Sequence, residues 1–141
     1  MKRNASAVWK GDLKNGQGEV SAESGVLSSA QYSFGTRFEN GTGTNPEELL
    51  GAAHAGCYSM ALSLVLEESG ITPERIETRA AVTIEPSDDG FTIGAVHLDV
   101  QAKIPGMSAE DFQVAANTAK DGCPVSKLFN ANITLSASLN N

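Results

Sequence analysis

Between Asn45 and Gly70 lies the segment that most restricts how this chain can fold: 18 consecutive residues, Leu49 to Leu66, contain no Asp, Glu, Lys or Arg. Start and stop signals for a single helix enclose it. Asn45 can cap, Pro46 fits the first helical position, where its missing N–H costs nothing, and Glu47 and Glu48 complement the positive end of the helix dipole. Glu48 stands three residues after Asn45, the spacing of a capping box. Gly70 suits the left-handed residue that closes a helix, and Pro73 follows soon after. The helix is expected to run roughly 24 residues and about 36 Å, about the diameter of a domain of this size. Its few polar residues, His54, Ser59 and Ser63, are scattered around the axis, so it is apolar on every side and expected to be buried on every side. Such a stretch reaches the lower edge of membrane-spanning length. Gly, Ala and Ser dominate it and a His lies inside, which favours a core helix over a membrane span.

At 141 residues the chain is long enough for one domain with a substantial core, read here as residues 1–141 with a loose terminus at residues 1–4. A net charge of -7 with singly scattered Lys and Arg, Lys2-Arg3 apart, leaves no basic patch for nucleic acid. No apolar leader follows Met1, so a cytoplasmic location with reduced thiols is expected. Two Cys and two His are too few for a disulfide framework or a convincing zinc site.

The remaining pattern alternates strands and helices. Ala5 to Gly11 and Gln17 to Ala22 read as a hairpin, and Gln31 to Phe38 as a third strand with Tyr32, Phe34 and Phe38 at period two and Arg37 near its end. After the glycine-rich loop and the long helix come two strands, Glu77 to Glu85 and Phe91 to Ile104, joined by a turn at residues 86–90. Ser108 and Asp111 cap a helix from Ala109 to about Asp121, with Phe112, Ala115, Ala116 and Ala119 on one face. Cys123 then caps a short helix over residues 125–130, opened by Pro124, and Ile133 to Leu139 is a last strand. The sum is an α+β domain. Because so little sheet is available to cover the long helix, a homodimer that packs two such helices together is expected.

Two thiols hold the chemistry. Cys57 lies about twelve residues into the helix, beyond reach of its dipole, and burial alone would leave it an inert thiol. A nucleophile at neutral pH needs a pKa about two units lower, about 2.7 kcal/mol of differential stabilisation, which only a nearby cation can supply. Arg37, Arg75, Arg79 and a protonated His54 are the candidates, with Arg37 favoured because a charge between Thr36 and Phe38 is out of place on a strand. Cys123, at a helix start, has its thiolate favoured locally. Such a pair suggests a cycle between thiols and disulfide, although a buried Cys also serves as a small apolar packing residue. His54 and Cys57, three apart on one helix face, could form half a metal site, with no further ligands nearby.

The runs TNPEELLGAAHAGCYSMALSL and GCPVS, with VWKGDLKNGQGEVSAESG near the start and TRFE before the glycine loop, closely resemble the osmotically inducible protein C branch of the OsmC/Ohr family. The likeness covers about residues 5–139. It implies an OsmC-like fold, an intertwined homodimer with shared active sites, and a thiol-dependent peroxidase reducing organic hydroperoxides and hydrogen peroxide without cofactor or metal. By that resemblance Cys57 is the peroxidatic and Cys123 the resolving cysteine. Arg37 holds the thiolate and orients the peroxide, and Glu47 pairs with Arg37. Glu47 precedes Cys57 by ten residues, about 15 Å of helix, which no side chain spans, so Arg37 and Glu47 of one subunit are expected to meet Cys57 of the other. The resemblance further implies an external dithiol reductant, a lipoyl-bearing protein. A competing reading from another class is a non-catalytic stress protein that binds an apolar ligand between subunits.

Overall fold

Ten elements follow one another in the computed structural model, which describes residues 1–141 and divides into two units, Met1–Leu49 and Leu50–Asn141. The first unit is a three-stranded antiparallel sheet in the order β1 (Ala5–Lys10), β2 (Gln17–Ala22), β3 (Ala30–Tyr32). The expected third strand stops after three residues. Ser33 caps a short helix, α1 (Phe34–Phe38), its hydroxyl accepting from the Thr36 N–H while the Thr36 hydroxyl accepts from the Ser33 N–H. Phe34 and Phe38 are one helical turn apart as well as two strand periods apart, and their rings meet at 5.0 Å. The reciprocal cap decides between the two periods, so Arg37 sits on a helix and not on a strand.

The long helix α2 (Pro46–Glu68) keeps the expected ends. The Asn45 side chain accepts from the Glu48 N–H at 2.8 Å. At the other end Gly70 adopts φ +74°, its N–H bonds to the Glu67 carbonyl, and the Ile71 N–H reaches back to the Leu66 carbonyl, a Schellman closure.

In the second unit β4 (Arg75–Ser87) and β5 (Gly90–Lys103) form the expected hairpin, and β6 (Asn132–Leu139) adds to the far side of β5 in parallel. A parallel neighbour requires a crossover, and α3 (Ala109–Gly122) with α4 (Pro124–Leu128) supplies it. One stripe of α2, Tyr58, Leu62 and Leu66, is fully buried in a cluster with Val96, Leu98 and Val100 of β5 and the predicted face of α3, Phe112, Ala115, Ala116 and Ala119. Gly51 faces Ala80 and Val82 of β4, and Ser59 meets the Thr78 hydroxyl at 2.7 Å. The opposite stripe of α2 is open: Met60 and Leu64 are 77% and 57% exposed. Within one protomer, then, the expected burial on every side is not reached, because the sheet and α3 flank only one face.

The core of the second unit makes a local contrast along α3. Phe112→Ala should lower the unfolding free energy by about 4 kcal/mol, whereas Val114→Ala, two residues away on the exposed face, should change it by less than about 0.5 kcal/mol, both read from denaturant unfolding.

Candidate active site

Cys123 stands between two helices, as the C-cap of α3 and the N-cap of α4. Its N–H bonds to the Ala119 carbonyl, closing α3, and its carbonyl accepts from the Lys127 N–H, opening α4, while Pro124 presets the first helical position. Held from both sides, the side chain is fully buried. Tyr58 fixes where this junction lies against α2: its hydroxyl donates to the Ala116 carbonyl at 3.0 Å. Cys57, next to Tyr58, thereby lies beside the Cys123 junction, and each of the two free thiols influences the other's titration.

The two sulfurs are not equivalent. Burial pushes the Cys57 thiol up, the Val125 N–H works against that, and Cys123 pushes it up again, leaving it above the ordinary cysteine value. Burial acts the same way on Cys123. There it is outweighed by the Ser126 N–H, the Cys57 thiol, the Ser126 hydroxyl and the Val125 N–H, which together hold Cys123 below the ordinary value. The Cys123 sulfur makes no formal cap, yet the amides of α4 are close enough to favour its anion. Tyr58 registers the same charge: its phenol is pushed up first by burial and then by Cys123. The groups acting on Cys57 include no cation.

The expected cations take three different roles. Arg75 and Arg79 extend from β4 with side chains 73% and 79% exposed, paired with Glu77. His54 is fully buried and burial lowers its pKa, so it is neutral. Its Nε2 lies 2.7 Å from the Ser126 hydroxyl, its ring meets Phe129 edge-on at 5.2 Å, and Nδ1 is buried without a partner. Arg37, in the first unit, donates from Nε and from one terminal nitrogen to the same oxygen of Glu47, at 2.9 and 2.7 Å. That pairing follows the sequence reading. Glu47 is buried and its second oxygen has no donor. Ser126 is the residue that the sequence reading passed over; its signal was the third position after the Cys123 cap, within CPVS.

Two hollows, one in each unit, border these residues. In the second, a groove of about 510 Å³ runs along α2 past Cys57, Met60, Ala61 and Leu64 to Pro124. In the first, a hollow of about 280 Å³ is walled by Trp9, Leu13, Tyr32, Phe34 and Phe38, with the Arg37 guanidinium at its side and 5.3 Å from the Phe38 ring. One hollow has a thiol and largely apolar walls, with Ser63 and Glu67 at its edge; the other has a cation and aromatic walls.

The profile of the OsmC-like protein family matches residues 39–138. Over 133 residues, 94% of this chain and 93% of the relative, the sequence is 51% identical to the peroxiredoxin OsmC of Escherichia coli K12. It is 34% identical to the organic hydroperoxide resistance protein OhrB of Bacillus subtilis, over 86% of this chain and 88% of that one. The crystal structure of B. subtilis OhrB superposes with a TM-score of 0.69 at 25% identity, covering 97% of this chain and 98% of that chain. The OsmC-like protein of Mycoplasma pneumoniae shares the fold, with a TM-score of 0.76 at 15% identity over 100% and 99% of the two chains. With two small sheets and a long helix in an α+β arrangement, and with these matches along nearly its whole length, the chain belongs to the OsmC-like protein family.

Proposed function

We propose that this protein is a thiol-dependent peroxidase that reduces organic hydroperoxides and hydrogen peroxide, with Cys57 as the attacking and Cys123 as the resolving cysteine. The observation that carries the reading is two free thiols close enough to shift each other's titration, one of them opening onto a largely apolar groove, in a chain half identical to a protein named a peroxiredoxin. The Cys57 thiolate attacks the distal oxygen of the hydroperoxide. The O–O bond breaks, the alcohol departs with a proton, and Cys57 becomes a sulfenic acid. The Cys123 thiolate then attacks that sulfur, the S–O bond breaks, water leaves, and a disulfide closes. An external dithiol, by chemistry suited to a lipoyl-bearing protein, returns both thiols.

Cys57 needs a positive charge for the first step, and its own unit supplies none. Arg37 has that charge, is preorganised by buried Glu47, and stands beside an apolar hollow that can take an organic substituent. Ten residues of one helix separate Glu47 from Cys57, about 15 Å, so the charge comes to Cys57 from a second copy. The open apolar stripe of α2, with Met60 and Leu64, is the surface that such a copy would cover. In this reading residues 1–141 act as one domain of a homodimer with shared sites, in the cytoplasm, where thiols stay reduced between turnovers. The second oxygen of Glu47 then has room for a donor from the partner.

One equivalent of cumene hydroperoxide, added to reduced protein, should remove both thiols and lower the intact mass by two hydrogens. A Cys123→Ser variant should complete the first oxidation and then over-oxidise at Cys57; normal repeated turnover by that variant would remove the resolving role from Cys123. If neither thiol is lost, a non-catalytic site for an apolar ligand becomes the reading.

Shared sites have a signature of their own. Cys57→Ser and Arg37→Ala proteins should each be inactive, and an equimolar, randomly exchanged mixture should regain about a quarter of wild-type activity, since half the dimers are mixed and each of those has one whole site. A mixture as inactive as its parents would place Arg37 and Cys57 in the same subunit.

A further inference from the structure

Asn45 does more than cap α2. Its side-chain oxygen accepts from the Glu48 N–H at 2.8 Å, and its backbone carbonyl accepts from the Leu49 N–H. The other end of the same amide, Nδ2, donates to the Thr36 carbonyl at 3.1 Å and lies 3.4 Å from a Glu48 carboxylate oxygen. Both ends demand one orientation of the amide, since a backbone N–H must meet its oxygen and a carbonyl must meet its nitrogen. Thr36 is buried and precedes Arg37, while Glu47 follows Asn45 by two residues. Arg37 closes the circuit by donating from Nε and a terminal nitrogen to one Glu47 oxygen, at 2.9 and 2.7 Å. A ring of bonds thus runs from Thr36 to Asn45, Glu47 and Arg37 and back along the chain, all within the first unit.

The rest of the connection leaves this ring a distinct task. The loop between α1 and α2 is held by its backbone: the Gly41 N–H donates to the Gly35 carbonyl at 3.0 Å and the Thr44 N–H to the Gln31 carbonyl at 2.8 Å. Gly43, at φ +135°, passes so near that a Cβ there would stand 2.5 Å from the Gln31 oxygen. These contacts fix the loop on β3 and on the start of α1, not on the turn that presents Arg37. A helix of five residues has little stability of its own, and the Thr36 carbonyl is among the last four, which a helix cannot satisfy internally. The Asn45 amide supplies its donor. We propose that Asn45 is a positioning residue for Arg37: by tying the open end of α1 to the start of α2, it holds the guanidinium on Glu47 and aims that charge for the attack on peroxide. The inference rests on the peroxidase reading for its purpose but not for its test. Serine and aspartate cap helices as well as asparagine does. A serine hydroxyl, one bond shorter, falls short of Thr36, and aspartate sets a second acceptor against its carbonyl, so asparagine is the cap that serves both helices.

The test separates the cap from the clamp in the full, reduced chain. In nitrogen-15-labelled protein the Arg37 Nε–H signal, identified by its loss in Arg37→Lys, should exchange slowly with water because Glu47 holds it. In Asn45→Ser and Asn45→Asp that signal should exchange about tenfold faster, the weight of one hydrogen bond, with the denaturant midpoint unchanged because the cap remains. Asn45→Ala loses both functions and should show the faster exchange together with a lower midpoint. With one equivalent of cumene hydroperoxide, sulfenic acid formation at Cys57 should slow about tenfold in the Ser and Asp variants, while closure of the disulfide with Cys123 keeps its rate. An Nε–H as protected in Asn45→Ser as in the wild type overturns the proposal. So does release in Asn45→Asp alone, which would be the work of the added charge, and so does an undiminished rate of sulfenic acid formation in a variant whose Nε–H is released. Release of the Nε–H in a protein whose wild type leaves the hydroperoxide untouched would keep the clamp and remove the peroxidase reading.

Discussion

The place of α3 against the middle of α2 decides whether the two thiols of this molecule lie near one another at all. Three fully buried side chains of α2, Tyr58, Leu62 and Leu66, set that contact, and Tyr58 adds the one directional bond in it, to the Ala116 carbonyl. Packing alone tolerates a slide of a few tenths of an ångström; a buried hydroxyl on a carbonyl does not, since a lost bond there leaves two polar groups unpaired. Cys57 is the residue before Tyr58, and Cys123 lies less than two turns past Ala116, so the phenol aligns one sulfur with the other. The two helix ends at Cys123 then fix the second sulfur so firmly that it has little freedom to turn away.

Electrostatically the pair divides its labour. The amides and hydroxyl around Cys123 stabilise its anion without any full charge, whereas Cys57 is raised by burial and by its neighbour. A thiol in that state is mostly protonated at neutral pH. The Arg37–Glu47 pair is built the other way, with the guanidinium oriented by a buried carboxylate whose second oxygen is still free. The thiols and the guanidinium thus lie in separate units, and α2 leaves an apolar stripe, with Met60 and Leu64, open.

Much of this was legible in the residues because it depends on local rules. The caps of α2 at Asn45 and Gly70, the face of α3, the hairpin of β4 and β5 and the Cys123 cap all follow from spacings of three or four residues or from a period of two. The miss at Arg37 came from a pattern compatible with both periods, where Phe34 and Phe38 fit a strand and a helix alike and a Ser–Thr reciprocal cap made the choice. The parallel docking of β6 was hidden for another reason: alternation in a strand says which face is buried but not which neighbour it joins or in what direction. Ser126 escaped notice because its importance lies in a contact with His54, 72 residues away, and no spacing encodes that.

That parallel strand also gives the chain an order of events. The segment containing Cys123 is the crossover between β5 and β6, so Cys123 reaches its station only when β6 has found its register beside residues 95–102. Contacts so distant along the sequence close late, after the local hairpin of β4 and β5 has formed. A nascent or partly unfolded chain thus holds its two cysteines apart, and oxidant meeting it finds two solitary thiols. Peroxide chemistry in this architecture is a property of the finished fold, which β6 completes.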